Sequence, residues 1–288
     1  MNKLTYQLKE LRNENREGSY ATQKAREEAH NLIAKDLKEL GYNQMNADAL
    51  KEKHVVALVE KWDKKGIAVS TIKNRMSHVR FWGKHTNLAH RVPSNKNLGI
   101  KNRVHVTNIS KAVTLEQKHL DKISDPYVKD TLRFQAELGA RREEGIKVNV
   151  FKADKGTHLE MQGSWCKNGR PRDIPITTSE QRALVNELKS KYGNNSLIPP
   201  DKSYKQQMTT YKNVVPKAGL GGTAHGLRHN YAQQRYKEIT SKDCPVCGGK
   251  HQRDMTKEER EIDREARLTI SEEMGHGREQ ILSTYIGS

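Results

Sequence analysis

The stretch that says most about this chain is His225-Gly-Leu-Arg-His-Asn-Tyr-Ala-Gln-Gln-Arg235, which follows Gly221-Gly-Thr223. It predicts a helix that opens near its first residue, because the preceding glycines interrupt regular structure. His225 and Arg228 are three residues apart and therefore share one face of the first turn. A helix start also offers unpaired backbone N–H groups and a positive dipole end, so this face suits a phosphate.

Taken alone, a His-x-x-Arg pair is more often part of an ordinary basic helix. The pair gains weight from a phenol near the end of the chain, Tyr285. An imidazole, a guanidinium and a phenol are the groups needed to attack a phosphodiester without a metal.

Composition sets the broad class. With 288 residues, of which 34% are hydrophobic, the chain is long enough for two domains with separate cores. It shows neither the apolar run of a membrane span nor that of a signal peptide. Three cysteines, Cys166, Cys244 and Cys247, do not make a disulfide framework, which favours a reducing interior. We therefore expect a cytoplasmic, nucleoid-associated protein with no membrane partner.

The charge is strongly basic and unevenly placed. The formal net charge is +17, and the segment 64–115 holds eleven Lys or Arg but no Asp or Glu. A solvated helical surface normally mixes both signs, so a segment this one-sided favours a polyanion such as nucleic acid. A membrane-surface helix would also need a large apolar face. RNA is disfavoured because aromatic residues make up only 6% of the chain.

The first 92 residues predict a helical, DNA-binding domain, with helices at 20–40, 46–63 and 70–84. In the third, Ser70 is placed as the N-cap, and Lys73, Arg80 and Lys84 fall on one face that is predicted to meet phosphates. Residues 93–113 predict a basic linker that runs along DNA, to which Lys101 and Arg103 contribute further positive charge.

Residues 114–288 predict a second domain of helices with one small antiparallel sheet. Helical patterns cover 127–138, 180–192, 205–218 and 224–239, and a β section at 158–176 turns at Asn168-Gly169. An insertion at about 240–267 begins as a loop, after which Thr256 and Glu259 predict a capping box for a last helix. The fold class is thus mainly α, with an α+β second domain.

Five motifs in these two domains carry potential chemistry. They are Gly139-Ala-Arg141 with Glu144, Lys167 before the turn, His225-x-x-Arg228, Gly275-His276, and Tyr285 nine residues after His276. In this order and spacing the chain resembles the tyrosine recombinases, the phage-integrase family. The resemblance covers nearly the whole chain, and it implies a site-specific recombinase that integrates or excises a mobile element.

The resemblance also implies roles. Tyr285 would attack a DNA phosphate to give a 3′-phosphotyrosine, and Arg141 and Arg228 would bind its non-bridging oxygens. His225 would exchange a proton with the tyrosine or bind the phosphate, and Lys167 would protonate the leaving 5′-oxygen. His276 would donate to the phosphate, and Glu144 would support the basic groups. Because the ester retains the bond energy, no cofactor, metal or ATP is expected for the chemistry.

Several assignments have a close competitor. Lys155 competes with Lys167, Arg142 with Arg141, and Glu143 with Glu144. The strand–turn context favours Lys167, and the Gly-Ala-Arg register favours Arg141 and Glu144. His229 is expected to be a structural neighbour of His225.

Two features depart from the common family pattern. Only Ile286, Gly287 and Ser288 follow Tyr285 here, whereas many relatives have a further helix that docks into a neighbouring subunit. Either the protein has no such helix, or the helix lies beyond Ser288. In the first case another contact, such as one through the N-terminal segment, would couple the protomers.

The second departure is the insertion, where Cys244, Cys247 and His251 have the local spacing of half a zinc site. A closed site needs a fourth ligand, and no obvious one lies nearby in the sequence; His229 and Cys166 are candidates. The alternative is a cysteine-bearing loop packed on the second domain.

The expected partners are double-stranded attachment sites, accessory DNA-bending proteins and further copies of the chain. A homotetramer is expected on synapsed DNA and a monomer or weak oligomer in its absence. Rival readings are a resolvase of chromosome or plasmid dimers, a type IB topoisomerase, and an inactive DNA-binding regulator. The sequence names neither the attachment site nor the preferred direction.

Overall fold

The computed structural model describes residues 3–288 and divides into two compact units, the first ending at Val104 and the second beginning at His105. The division falls inside the segment 93–113 that the sequence predicts as a linker. Assigning DNA binding to residues 1–92 and catalysis to residues 114–288 remains a prediction.

The first unit is built from four helices around one apolar core. The helices are α1 (Lys3–Glu14), α2 (Tyr20–Glu39), α3 (Glu52–Lys64) and α4 (Val69–His85). Two fully buried indoles anchor the core, and each has a partner for its N–H, as buried Trp normally requires. Trp62 donates to Asp36 Oδ2 at 2.8 Å, and Trp82 donates to the carbonyl of Ala47, also at 2.8 Å.

Two predicted helix starts were wrong. Helix α3, which was predicted over 46–63, begins at Glu52, and residues 47–49 form a 3-10 turn in place of its predicted first turn. Tertiary hydrogen bonds explain the difference, because Gln7 accepts from the Ala47 N–H at 2.8 Å while Trp82 binds its carbonyl. Ser70 is not an N-cap either: α4 starts at Val69, and Ala68 holds the cap position without a side-chain bond.

The second unit combines short and long helices with a single hairpin. Its helices are α5 (Gln117–Leu120), α6 (Pro126–Leu138), α7 (Arg142–Lys147), α8 (Val150–Ala153), α9 (Ser179–Tyr192), α10 (Tyr204–Val214), α11 (His225–Thr240), α12 (Lys257–Glu273) and α13 (Ser283–Ile286). Strands β1 (His158–Met161) and β2 (Arg172–Pro175) pair antiparallel, with His158 opposite Pro175 and Met161 opposite Arg172. The predicted α+β organisation is confirmed.

Helix α6 lies at the centre of the second unit and packs against α7, α9 and α11. Its Phe134 joins the core beside the hairpin and α9, while Leu132 joins a second core formed with α10. The helix ends at Gly139, which is left-handed with φ +59°. A Cβ atom at this position would overlap the ring of Tyr231 in α11, so only glycine allows this approach.

Other local predictions are confirmed. Helix α11 begins at His225, and Thr256 caps α12 by accepting from the Glu259 N–H at 3.2 Å. Asn168 and Gly169 both have positive φ, +61° and +66°, as a turn there requires. The strands are shorter than the predicted section 158–176, and ten residues rather than a two-residue turn connect them.

None of the helices in the part of the chain that the structure describes combines the length and apolar character needed to cross a bilayer.

Candidate active site

The phenol of Tyr285 lies inside the second unit, in α13. The residue is 6% exposed, and its Oη lies 3.3 Å from Nε2 of His225. Three imidazoles surround the phenol ring, with centroid distances of 5.7 Å to His225, 4.5 Å to His229 and 5.5 Å to His276. The Tyr285 side chain therefore contacts the first turns of α11 and the segment after α12 of the same protomer.

The phenol opens onto a cleft of about 760 Å³. Five of the six side chains predicted to be catalytic line this cleft together with the supporting Glu144; the five are Arg141, Lys167, His225, His276 and Tyr285. These residues come from α7, the hairpin loop, α11 and the two segments that follow α12, and folding brings them together. A concave site that gathers titratable groups from distant segments is the usual form of an active site.

Arg141 is fixed by its position at the start of α7. Its backbone N–H donates to Glu144 Oε2 at 2.6 Å, and its Nη1 donates to Glu144 Oε1 at 2.7 Å. Its Nη2 donates to the carbonyl of Gly275 at 3.1 Å. The guanidinium is therefore oriented before any phosphate arrives, which is what an electrostatic catalyst requires.

Glu144 holds two arginines and not only one. Burial by itself raises the pKa of its carboxyl, but Arg172 and Arg141 outweigh that effect and lower the pKa to about 2. Arg172 donates from Nη1 to Oε1 at 2.9 Å and from Nη2 to Oε2 at 2.8 Å. Its Nε donates to the carbonyl of Glu273 at 2.7 Å. The carboxylate thus remains ionised and joins the hairpin to α7.

Arg228 lies behind the cleft surface and not on it. It is 1% exposed, and its guanidinium donates to the carbonyls of Gly139 and Met274. Its Nη2 also lies 3.1 Å from Nε2 of His276. Burial and the nearby charge of Arg141 lower its pKa to about 10, so it stays cationic at neutral pH. The resemblance implies that Arg228 binds the phosphate oxygens together with Arg141, and the sequence did not predict that its guanidinium is buried.

His225 and His276 are both held in the neutral form. Burial, with the charges of Arg228 and Arg141, lowers the pKa of His225. The same causes, together with Arg172, lower the pKa of His276 to about 3. At neutral pH each imidazole therefore has one N–H donor and one acceptor nitrogen.

Gly275 is needed where His276 enters the site. It has φ +65°, and a Cβ atom there would lie 2.8 Å from Cδ of Arg172. The glycine lets the chain turn directly over the Arg172–Glu144 pair and place His276 against Arg228.

Lys167 lines the cleft, whereas its competitor Lys155 does not. Lys167 is exposed in the hairpin loop and lines the cleft. Lys155 is not among the lining residues, and its Nζ lies 3.4 Å from Glu160 Oε2. Arg142 and Glu143 also line the cleft. The hydrogen bonds described above, however, are made by Arg141, which donates to Glu144 and to the carbonyl of Gly275.

Comparison with known proteins identifies the family of this chain. The family model described as "Phage integrase, N-terminal" matches residues 1–89, and the model described as "Integrase" matches residues 102–234. Together they account for more than half of the chain. The chain is a tyrosine recombinase of the phage-integrase family.

Solved structures of recombinases share the fold of this one. A lambda integrase dimer bound to a COC′ core site has a TM-score of 0.67 at 14% identity, covering 98% of this chain and 76% of that chain. The Tn1549 transposon integrase in complex with circular intermediate DNA has a TM-score of 0.58 at 13% identity, covering 99% and 95%. A lambda integrase tetramer bound to a Holliday junction has a TM-score of 0.57 at 14% identity, covering 81% and 73%. No curated protein sequence matches the recombinase.

His276 and Tyr285 lie beyond the residues that the integrase model matches. Their assignment in this recombinase therefore depends on the Gly275-His276 spacing to Tyr285 and on their position in the cleft. Sequence reasoning missed two residues of the site: Arg172, which binds Glu144, and Gln233, which donates to the Tyr285 carbonyl at 3.0 Å. It placed His229 beside His225 but did not predict the contact of its ring with Tyr285. The spacing of four between His225, His229 and Gln233 was a usable signal, since it puts them on one face of α11.

The zinc hypothesis for the recombinase is not supported. Among residues 3–288, no group of three or more His, Cys, Asp or Glu side chains is arranged to hold a metal ion. The thiols of Cys244 and Cys247 are hydrogen-bond partners, and Cys247 also donates to Gln233 at 3.3 Å, whereas His251 Nδ1 lies 2.5 Å from the Ser288 oxygen. Cys244 is buried in the core beside α12 and α13. The alternative, a cysteine-bearing loop packed on the second unit, describes what is seen.

The candidate DNA-binding residues of the first unit are less free than predicted. Lys84 pairs with Glu17 at 2.8 Å, so an acid from another segment reaches the face expected to be purely basic. Arg80 donates to Asn95 and Arg103 to Asn74, each at 2.8 Å, which fastens residues 93–103 to α4. Lys73 donates to Asn102 at 3.4 Å, and Lys101 is exposed. Their contact with phosphate remains a prediction.

Proposed function

We propose that this recombinase cleaves and rejoins DNA at specific attachment sites, with Tyr285 as the nucleophile. The supporting observation is that its Oη lies 3.3 Å from the neutral His225 in the cleft that also holds Arg141, Lys167 and His276. A phenol needs a base and a cationic surrounding to attack at neutral pH, and this arrangement supplies both.

In the cleavage step the Tyr285 oxygen forms a bond to the phosphorus as the bond to the 5′-oxygen breaks. The Tyr285 proton passes to Nε2 of His225, in the tautomer that accepts there, and Lys167 gives a proton to the 5′-oxygen. Arg141 and an N–H of His276 bind the non-bridging oxygens, and the charge of Arg228 favours the developing anion from behind. The products are a 3′-phosphotyrosine and a free 5′-hydroxyl.

Rejoining reverses these steps with a 5′-hydroxyl from another strand. Because one phosphate ester replaces another, the exchange is balanced without an external energy source. Repeated on two paired sites, the reaction integrates or excises a mobile element. We propose that four copies assemble on synapsed DNA, as the lambda integrase tetramer on a Holliday junction does, and that accessory bending proteins assist.

The test uses nicked duplexes from the flanks of the protein's own gene, in which the short cleaved strand diffuses away and traps the adduct. Wild type is expected to form a covalent protein–DNA complex, and Tyr285→Phe none, while both bind the duplex equally. Tyr20→Phe is the matched control, because Tyr20 is 83% exposed in the first unit. Covalent capture by Tyr285→Phe would remove Tyr285 from the nucleophile's role.

A further inference from the structure

The segment that carries Tyr285 is held against the cleft by a set of contacts that the proposed chemistry does not use. We call residues 283–288 the nucleophile segment and residues 241–256, between α11 and α12, the insertion loop. Helix α13 has only four residues, so its own hydrogen bonds do little to fix Tyr285. The position of the phenol must therefore depend on tertiary contacts.

Three residues on one face of α11 contact Tyr285. His225 reaches the phenol oxygen, and the ring of His229 packs on the phenol ring. Gln233, one turn further, donates from Nε2 to the Tyr285 carbonyl at 3.0 Å. This carbonyl lies at the end of a helix, where backbone oxygens have no partner within the helix, so the Gln233 amide caps it.

The amide of Gln233 is itself fixed on its other side. Gln233 is 8% exposed, and its Oε1 accepts from Sγ of Cys247 in the insertion loop at 3.3 Å. Ser110 Oγ lies 3.2 Å from the same oxygen and 3.0 Å from Nε2. Because the Tyr285 carbonyl can only accept, the amide nitrogen must face it and the oxygen must face Cys247. The Tyr285 carbonyl therefore sets the orientation of the amide, and the thiol adds a donor to the amide oxygen in that orientation.

The insertion loop also encloses the end of the nucleophile segment. A Cβ atom on Gly287 would lie 3.0 Å from both Pro245 Cβ and Val246 Cγ1, and 2.9 Å from Asn108 Oδ1. On the opposite side the buried Arg267 donates to the Gly287 carbonyl at 2.9 Å and to Ser283 Oγ at 3.3 Å. Ile286 between them is fully buried in the core that contains Cys244.

From these contacts we infer that Gln233 and the insertion loop act as a positioning device that holds Tyr285 in the cleft of its own protomer. The inference rests on the proposed function, because it takes Tyr285 as the nucleophile. It assigns the insertion a task, and it places Gln233 as a positioning residue that acts through Tyr285 without touching DNA.

The first experiment compares Gln233→Met, which keeps the volume but loses both hydrogen-bonding groups, with Gln234→Met. Gln234 is the exposed neighbour on the same helix and serves as the matched control. Gln233→Met is expected to form the covalent adduct about ten- to a hundred-fold more slowly at saturating DNA, because a small misplacement of a reacting group is costly. The half-saturating DNA concentration should not change, and Gln234→Met should behave as wild type.

Hydrogen exchange measured by mass spectrometry separates this effect from general unfolding. In Gln233→Met the amides of the nucleophile segment should exchange faster, while those of α6 and α9 keep their wild-type rates. Unchanged exchange in residues 283–288, or an unchanged rate of adduct formation, overturns the inference. Failure of the wild type to form any adduct would count against the proposed function, whereas the exchange measurement tests the positioning contacts independently.

A milder pair of variants decides the matter if Gln233→Met does not fold. Cys247 is exposed, so it tolerates substitution. Cys247→Ala removes the donor to Gln233. It should speed hydrogen exchange of the nucleophile segment and slow adduct formation, each by a smaller factor than Gln233→Met does. Cys247→Ser retains a donor and should restore wild-type values. Equal behaviour of the alanine and serine variants would contradict the role given to this hydrogen bond.

Discussion

Arg172 and Glu144 form a two-pronged ion pair beneath the cleft, with N–O distances of 2.9 and 2.8 Å. Their side chains are only 5% and 1% exposed. Since Glu144 also accepts two hydrogen bonds from Arg141, this buried pair links strand β2 to the arginine that we propose binds the phosphate.

Removing Arg172 should therefore damage both stability and chemistry. In Arg172→Met the Glu144 carboxylate loses its main partner, and breaking a buried pair in this way costs about 3–5 kcal/mol. We expect urea denaturation to show that loss in the free energy of unfolding, and suicide-substrate cleavage to slow. Arg253→Met is the control, because the Arg253 side chain is 82% exposed. Wild-type cleavage by Arg172→Met would show that Glu144 orients Arg141 without help.

Neighbouring arginines provide a second test. Arg141→Ala should slow adduct formation by about a hundred- to a thousand-fold, the usual loss for one electrostatic donor to a developing anion. Arg142→Ala should lose much less, because Arg142 is exposed while Arg141 is oriented by Glu144 and Gly275. Single-turnover cleavage with the two variants measures the difference. A greater loss in Arg142→Ala would shift the register of the motif by one residue.

A third test concerns the general acid. Lys167→Ala should cleave an ordinary phosphodiester about a hundred-fold or more slowly, because proton transfer to the leaving oxygen is lost. On a substrate with sulfur in the bridging 5′-position the variant should approach the wild-type rate, since a thiolate leaves without a proton. Lys155→Ala should match wild type on both substrates. If the sulfur substrate does not rescue Lys167→Ala, the lysine acts on the phosphate and not on the leaving group.

A fourth test uses pH and a histidine outside the cleft. His30 is fully buried in the first unit, with Nε2 3.0 Å from the carbonyl of His78, and burial lowers its pKa to about 4. Between pH 6.5 and 4 the unfolded chain binds a proton that the folded chain refuses, so stability falls as the pH drops through this window. His30→Gln should flatten that fall, as measured by urea denaturation at several pH values. An equal slope in the variant would mean that other groups dominate.

Local patterns allowed much of this molecule to be predicted. The start of α11 at His225, the end of α6 at Gly139 and the capping box at Thr256 depend on neighbouring residues, which a sequence displays directly. The catalytic set could be named because its order along the chain matches a known family. Its assembly in one cleft then followed from the fold.

What could not be predicted depends on partners distant in the chain. Nothing near Arg172 signals that it will pair with Glu144, 28 residues earlier, or that Gln233 will meet Tyr285, 52 residues later. The missed start of α3 has the same origin, since the Ala47 N–H donates to Gln7 and the Ala47 carbonyl accepts from Trp82, which holds Ala47 outside the helix. The zinc hypothesis failed for a related reason: Cys247 and His251 are close in sequence but turn to different partners.

The burial of Arg228 has a consequence for mutagenesis of such enzymes. Its guanidinium donates to carbonyls at the ends of two helices, at Gly139 after α6 and at Met274 after α12, where a positive charge also interacts favourably with the negative ends of the helix dipoles. The same side chain thus joins two helix ends of the second unit, in addition to the charge that we propose it supplies to the reaction. An Arg228 variant that loses activity would therefore lose structural contacts as well as positive charge. Substitution of Arg141 tests the stabilisation of transition-state charge more directly.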